Sequence, residues 1–175
     1  GASQYGNFYY SNDNGLTNFG IYPNVNGEIG EWTTPIIADY TNPGTLYVGF
    51  QNVVKSIDNG NTWNSISNFT TTSGISIELS AIAVGVSNPN VLVAARRVRY
   101  EYSEPGALFV TTNGGTTWND RTAGIPDSLY YTSVEVNRQN ANVIYVTMAG
   151  FSAGNKVFMS SNSGVTWRSE EHTSE

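Results

Sequence analysis

The side chains best equipped for chemistry are gathered in one place. Arg96, Arg97, Arg99, Tyr100, Glu101, Tyr102 and Glu104 crowd into a single short segment. Arginine forks and tyrosine rings on a loop suit carboxylated glycans or acidic protein surfaces. Arg96, Arg97, Arg99, Tyr100 and Tyr102 are therefore the expected ligand-binding set. Read as a plain extended hairpin, the segment would instead put Arg97 and Arg99 on one side and Val98 and Tyr100 on the other. Asp39, Glu78 and Glu135 form a second set, because each lies on or beside a predicted first strand. Two carboxylates flanking a sugar ring would suit glycoside hydrolysis. Carboxylates at strand edges also serve as structural or solvated groups, and the sequence does not fix their separation.

Other chemistries are excluded by what the chain lacks. There is no Cys, which removes disulfides, thiolate metal sites and Cys nucleophiles. The single histidine, His172, lies in the last eight residues. That stretch, 168–175, reads as the translation of a common sequencing-adapter DNA and is expected to be an artefact. Without it there is no His-dependent triad or His metal site. Asp13 and Asp58 each offer one carboxylate per turn, too few for calcium, so neither a metal nor a cofactor is expected. The net charge of −6 argues against nucleic acid. No apolar run reaches the ~18 residues of a membrane span. The chain opens at Gly1 with no signal peptide in view.

These groups must be positioned by repeated short strands. An octapeptide recurs at Ser56–Trp63, Thr111–Trp118 and Ser160–Trp167, with a more divergent copy at Ser11–Asn18. Between copies, Ile36–Val48 aligns without a gap to Ile82–Ala94 and to Val134–Val146. Each repeat reads as four strands: one ending near Asn-Pro or Asn-Ala, one after that turn, one leading into the octapeptide, and one beginning at its Trp. β-Branched and aromatic runs bounded by Asn, Gly and Pro are the strand signature. No window has a helical period. Only 13% of residues are charged, about half the usual ~25%. Aromatics also make up 13%, which does not fit disorder.

The octapeptide has a local logic. Gly15, Gly60, Gly115 and Gly164 can take a positive φ and close a hairpin. Asp13, Asp58, Asn113 and Asn162 can accept backbone N–H bonds within the turn. Ser11, Ser56, Thr111 and Ser160 at the start, and Thr17, Thr62, Thr117 and Thr166 near the end, add hydroxyls. Trp63, Trp118 and Trp167 are expected to bury their rings between neighbouring sheets.

These octapeptides resemble the Asp-box repeat, Ser/Thr-x-Asp-x-Gly-x-Thr-Trp, of sialidases, sortilin-type domains and xyloglucanase-type propellers. Trp32–Pro35 through Asn64–Ser67 is similar to secreted bacterial proteins whose Asp-box propellers precede a C-terminal sorting domain. Asn replaces Asp at 113 and 162, and Asn18 replaces the first Trp. The resemblance implies an all-β, partial β-propeller of about three and a half four-stranded antiparallel blades. The expected layout is a half-blade over 1–31 holding only its last two strands, then blades over about 32–69, 70–124 and 125–167.

In that layout the octapeptide turns lie on one face. The connection between the second and third strands lies on the other, and it is longest in the third blade, where the arginines are. A sialidase site would need arginines spread over several blades, whereas beyond this cluster the body offers only Arg121 and Arg138. The function implied is a secreted, non-catalytic binding or scaffold propeller with a glycan or extracellular protein partner. It would be completed by further blades of the same chain. The alternative is a fragment of an Asp-box glycoside hydrolase.

Overall fold

The computed structural model describes residues 1–23, 26–71, 73–151, 154 and 156–170. Its elements are strands apart from the short 3-10 turns Gln4–Gly6 and Tyr100–Tyr102. Among the described residues no helix is long and apolar enough to cross a membrane. The first sheet pairs β1 (Ala2–Ser3), β2 (Asn7–Tyr10) and β3 (Phe19–Ile21). The second runs β4 (Ile36–Ala38), β5 (Leu46–Gly49), β6 (Val53–Ser56) and β7 (Asn64–Ser65). The third runs β8 (Leu79–Val84), β9 (Leu92–Arg96), β10 (Ala107–Thr111) and β11 (Asn119–Asp120). The fourth runs β12 (Tyr130–Val136), β13 (Ile144–Ala149), β14 (Val157–Ser160) and β15 (Arg168–Ser169). Every pairing is antiparallel between strands adjacent in sequence.

The first sheet differs from expectation by carrying three strands rather than two. Ala2 pairs with Phe8 and Ser3 with Asn7 because the chain reverses through Tyr5 and Gly6, both at positive φ. At the other end, Arg168 and Ser169 of the tail pair with Met159 and Phe158. A ladder uses backbone groups alone, so this pairing does not depend on side-chain identity. Residues 171–175, with His172, lie outside the described residues.

Each sheet shares an apolar layer with the next. Phe8 of the first packs with Val48, Phe50, Val54 and Trp63 of the second. Tyr47 and Val53 of the second meet Leu79, Ile82, Leu92 and Ala94 of the third. Ala81, Val93, Ala95, Leu108 and Val110 of the third meet Tyr131, Val134, Ile144, Val146 and Phe158 of the fourth. Strand β9 shows why its sequence is apolar throughout. The two-residue period sends Leu92 and Ala94 to one neighbour and Val93 and Ala95 to the other. The stacked sheets form a partial β-propeller.

The first strands of the third and fourth blades are irregular at the same end. The ladder shifts between Leu79 and Ala81 in β8, and between Tyr131 and Ser133 in β12. Bulges of this kind re-aim side chains at sheet ends. Here they lie at the face that carries the long connection of the third blade.

Candidate functional site

The octapeptide turns build a closed network from their own residues. In the second blade, Ser56 Oγ donates to Asp58 Oδ1 at 2.8 Å and accepts from the backbone N–H groups of Asp58 and Gly60. Asp58 Oδ1 accepts the Thr62 N–H at 2.8 Å, and Oδ2 accepts the Thr62 hydroxyl at 2.6 Å. Asp13 does the same for Ser11 and Thr17. These hydrogen bonds, led by those from Thr62 and Thr17, hold both carboxylates down at about 2. In the third and fourth blades Asn113 and Asn162 keep the same geometry with one reversal. Their Oδ1 accepts from Thr117 and Thr166 N–H, while their Nδ2 donates to the Thr hydroxyl at 2.9 Å. The hydroxyl turns from donor to acceptor, so no charge is needed.

A second function of the turn was not visible in the sequence. Gly60, Gly115 and Gly164 sit at φ +85°, +94° and +81° and also lie against the preceding blade. A Cβ on Gly115 would stand 2.9 Å from Ile66 Cδ1 and 3.1 Å from Ile66 O. On Gly164 it would stand 3.0 Å from Arg121 Cβ, and on Gly60 3.3 Å from Ile21 Cγ2. Ile21, Ile66 and Arg121 occupy the same repeat position. Trp118 Nε1 donates to Ile66 O and Trp167 Nε1 to Arg121 O, again across to the preceding blade. Trp63 instead donates to Gly60 O in its own turn. Trp63 is buried, while Trp118 and Trp167 are half-buried at the rim. These turns bind blade to blade.

The opposite face holds the insert 96–104. The topology places it there as expected, between the end of β9 and the start of β10. Its arginines do not form a free basic cluster. Arg96 is 6% exposed and lies in β9. Its Nη1 donates to Thr70 O, and its guanidinium stands over the Phe109 ring. Burial lowers its pKa against the opposing pull of Glu104 and Asp120. Arg97 bonds to Glu31 and lies 5.6 Å over the Tyr130 ring. Arg99 grips both oxygens of Glu78, at 2.8 and 2.7 Å, and also Glu101 at 2.9 Å. Burial opposes the charge on Arg99, but Glu78 and Glu101 outweigh it and raise its pKa. Glu31, Glu78, Glu101 and Glu104 surround the three arginines, so their charge is offset within the molecule.

The same network accounts for the carboxylate set. Glu78, at the start of β8, is clamped by Arg99. Asp39 follows the other end of a first strand, β4, beside the Asn42-Pro43 turn. It accepts four hydrogen bonds, from the backbone and side chains of Thr41 and Asn42. Burial pushes its pKa up, yet these bonds prevail and lower it. Glu135 is exposed within β12. Asp39 and Glu78 thus stand at opposite faces and cannot flank one sugar. Among the described residues no group of three or more Asp, Glu, His or Cys side chains is placed to hold a metal.

The insert leaves two aromatic rings to solvent beside the exposed Glu101. Tyr100 is 69% and Tyr102 59% exposed. Tyr100 Oη donates to Ser128 O, which ties the insert to the fourth blade. On the same face Tyr5 and Trp32 meet edge to face with centroids 5.4 Å apart, and both are exposed. Glu28 accepts from the Gln51 and Asn52 N–H groups and from the Asn52 side chain. Glu28, Glu31, Asn52, Trp32 and Phe151 were missed in the sequence. For Glu31 and Trp32 there was one available signal: they stand just ahead of an aligned first strand, as Glu78 does.

No protein-family model matches the chain, and no curated protein matches it in sequence. Solved structures do. An ancestral GH74 enzyme superposes with a TM-score of 0.65 at 23% identity, over 91% of this chain and 20% of that one. The GH74 xyloglucanase from Xanthomonas campestris gives 0.64 at 18%, over 91% and 25%. YCF48 from Cyanidioschyzon merolae gives 0.54 at 15%, over 77% and 35%, and YCF48 bound to a D1 peptide also matches. The chain therefore spans about a fifth to a third of these relatives. At such identities the likeness is one of fold, and it agrees with the sheets described above: the chain is a run of consecutive β-propeller blades.

Proposed function

We propose that this chain is part of a secreted, non-catalytic binding propeller of the Asp-box group, which meets a glycan or extracellular protein partner on the face of the insert. The observation that carries the reading is the engagement of the two carboxylates nearest to a catalytic role. Asp39 caps a turn and Glu78 is held by Arg99, at opposite ends of the first strands. Exposed Tyr100, Tyr102, Tyr5 and Trp32 on a scaffold braced by ion pairs support binding instead. The low charge fits an extracellular setting, and the open first and fourth sheets fit further blades of the same chain. The peptide-bound YCF48 neighbour supports a protein partner, and the GH74 neighbours support a glycan or the alternative of a hydrolase fragment.

The test pairs two assays on the 175-residue chain. Incubation with xyloglucan and with sialyllactose is expected to release no new reducing ends and no sialic acid. Glycan-array and peptide-array binding is expected to be lost in the Tyr100→Ala, Tyr102→Ala double variant with its circular dichroism unchanged. Turnover abolished by Glu78→Gln would replace this reading with the hydrolase.

A further inference from the structure

The first and second blades enclose a groove at the octapeptide end of the strands, the end opposite the insert. It has a volume of about 640 Å³, within the ~300–1,000 Å³ usual for binding clefts. One wall carries Tyr10 and Phe19, which pair across β2 and β3. Their rings stack with centroids 5.2 Å apart and are 48% and 46% exposed. Tyr22 adds a third exposed ring. The other wall is the second octapeptide turn, with Asn59 and Asn61. Ile21 and Leu46 close the floor against Gly60 and join the core between the two blades. Tyr10 and Phe19 face this groove and not the open side of the first sheet. The two-residue strand period puts them on the same face as Phe8 and Ile21, which pack on the second blade.

Both walls depart from the repeat. Where the first blade pairs Tyr10 with Phe19, the second pairs Lys55 with Asn64 and the third Val110 with Asn119. Where the second turn has Asn59 and Asn61, the third has Gly114 and Thr116 and the fourth Ser163 and Val165. The other blades show that the fold needs neither the rings nor the amides.

The amides are available to a ligand. Asn59 is exposed and makes no side-chain hydrogen bond among the described residues. Asn61 donates from Nδ2 to Asp58 O and leaves its Oδ1 open. The described lining residues carry no charge, and Asn24 and Val25, outside the described residues, carry none either. Asp13 and Asp58 stand in the turns on either side, with their oxygens taken up by Ser11 and Thr17 and by Ser56 and Thr62. Their negative charge disfavours an acidic ligand. An aromatic face takes up the C–H side of a sugar ring, and an amide both donates to hydroxyls and accepts from them. An apolar side chain in the same place would cover both amides and leave them without partners.

We infer that this groove binds one ring of an uncharged sugar, stacked on Tyr10 and Phe19 and hydrogen-bonded to Asn59 and Asn61. The site goes beyond the function proposed above, because it lies at the other end of the strands and shares no residue with the insert. A single ring offers little surface to bury, so a Kd of about 1–10 mM is expected. Washing an array removes so weak a ligand, and the test is therefore made at equilibrium.

The whole chain, isotopically labelled, is titrated with methyl glucoside, methyl galactoside and methyl mannoside up to about 50 mM and followed by NMR. At least one of these sugars is expected to shift the side-chain amide signals of Asn59 and Asn61 and the backbone signal of Gly60. Tyr10→Val with Phe19→Asn, and Asn59→Gly with Asn61→Thr, install the residues of the third blade and so keep the fold. Each double variant should weaken the binding at least about fivefold, read at Gly60, with the rest of the spectrum unchanged. No shift with any of the three sugars, or binding that survives either double variant, overturns the inference. So does tighter binding of N-acetylphenylalanine amide or of N-acetylneuraminic acid, which would give the groove to a peptide or to an acidic glycan. Tyr100→Ala with Tyr102→Ala should leave the shifts in place. Their loss in that variant would move the sugar to the insert, overturning this inference while the function proposed above stands. Hydrolysis of xyloglucan or sialyllactose would instead remove that function and leave the groove untouched.

Discussion

The octapeptide turns and the insert occupy opposite ends of the same strands, and both tie up their polar side chains within the molecule. They close their bonds over different distances along the chain. Asp58 finds Ser56 and Thr62 two and four residues away. Arg99 reaches Glu78 across 21 residues, and Arg97 reaches Glu31 across 66. A turn that satisfies itself can be copied from blade to blade with little regard to its neighbours. An ion-pair brace depends on what adjoining blades supply, and among the described residues it is found at the insert of the third blade.

That contrast can be broken most sharply at the glycines, where the local turn also touches another blade. Gly115→Ala combines a left-handed backbone with overlap against Ile66, and a loss of about 3 kcal/mol is expected in urea unfolding. Gly15→Ala meets nothing within 4 Å and should cost only the backbone penalty of about 1 kcal/mol. Equal losses would mean that contact between blades contributes nothing at Gly115.

The brace comes next in size. Arg99→Leu leaves Glu78 half-desolvated without its clamp and should destabilise by about 2 kcal/mol. Glu78→Gln in the same chain should recover part of that loss, with a coupling of about 1 kcal/mol in a double-mutant cycle. Strict additivity would show that the two side chains act independently.

The turns supply a similar or slightly smaller effect. Ser56 is buried and makes three hydrogen bonds, so Ser56→Ala should cost about 1–2 kcal/mol. Ser11, exposed in the first sheet, should cost at most about 0.5 kcal/mol when changed to Ala. Thermal melts of the two variants give the ranking directly.

The smallest effect depends on pH. The folded carboxylates of Asp13 and Asp58 are lowered to about 2, against about 3.9 in an unfolded chain. Their contribution is complete above the unfolded value and disappears as pH falls through about 2. Asp58→Asn should fold like the third and fourth turns and lose less stability between about pH 4 and 2 than the parent. Parallel acid melts of parent and variant would expose a wrong sign at once.

The sequence by itself determined the blades. Octapeptide and aligned segment repeat, strand alternation is a two-residue property, and the turn bonds lie within four residues, so all of this is local. It also placed the insert on the face opposite the turns, because antiparallel neighbours leave no other route. Only the tertiary structure decided what the insert does with its charges. Glu31 and Glu78 belong to other segments of the chain, and nothing near Arg97 or Arg99 in sequence announces them. The contact of each turn glycine with the preceding blade was hidden for the same reason. It is made by residues brought together across blades, through close contacts and burial that no spacing along the chain encodes.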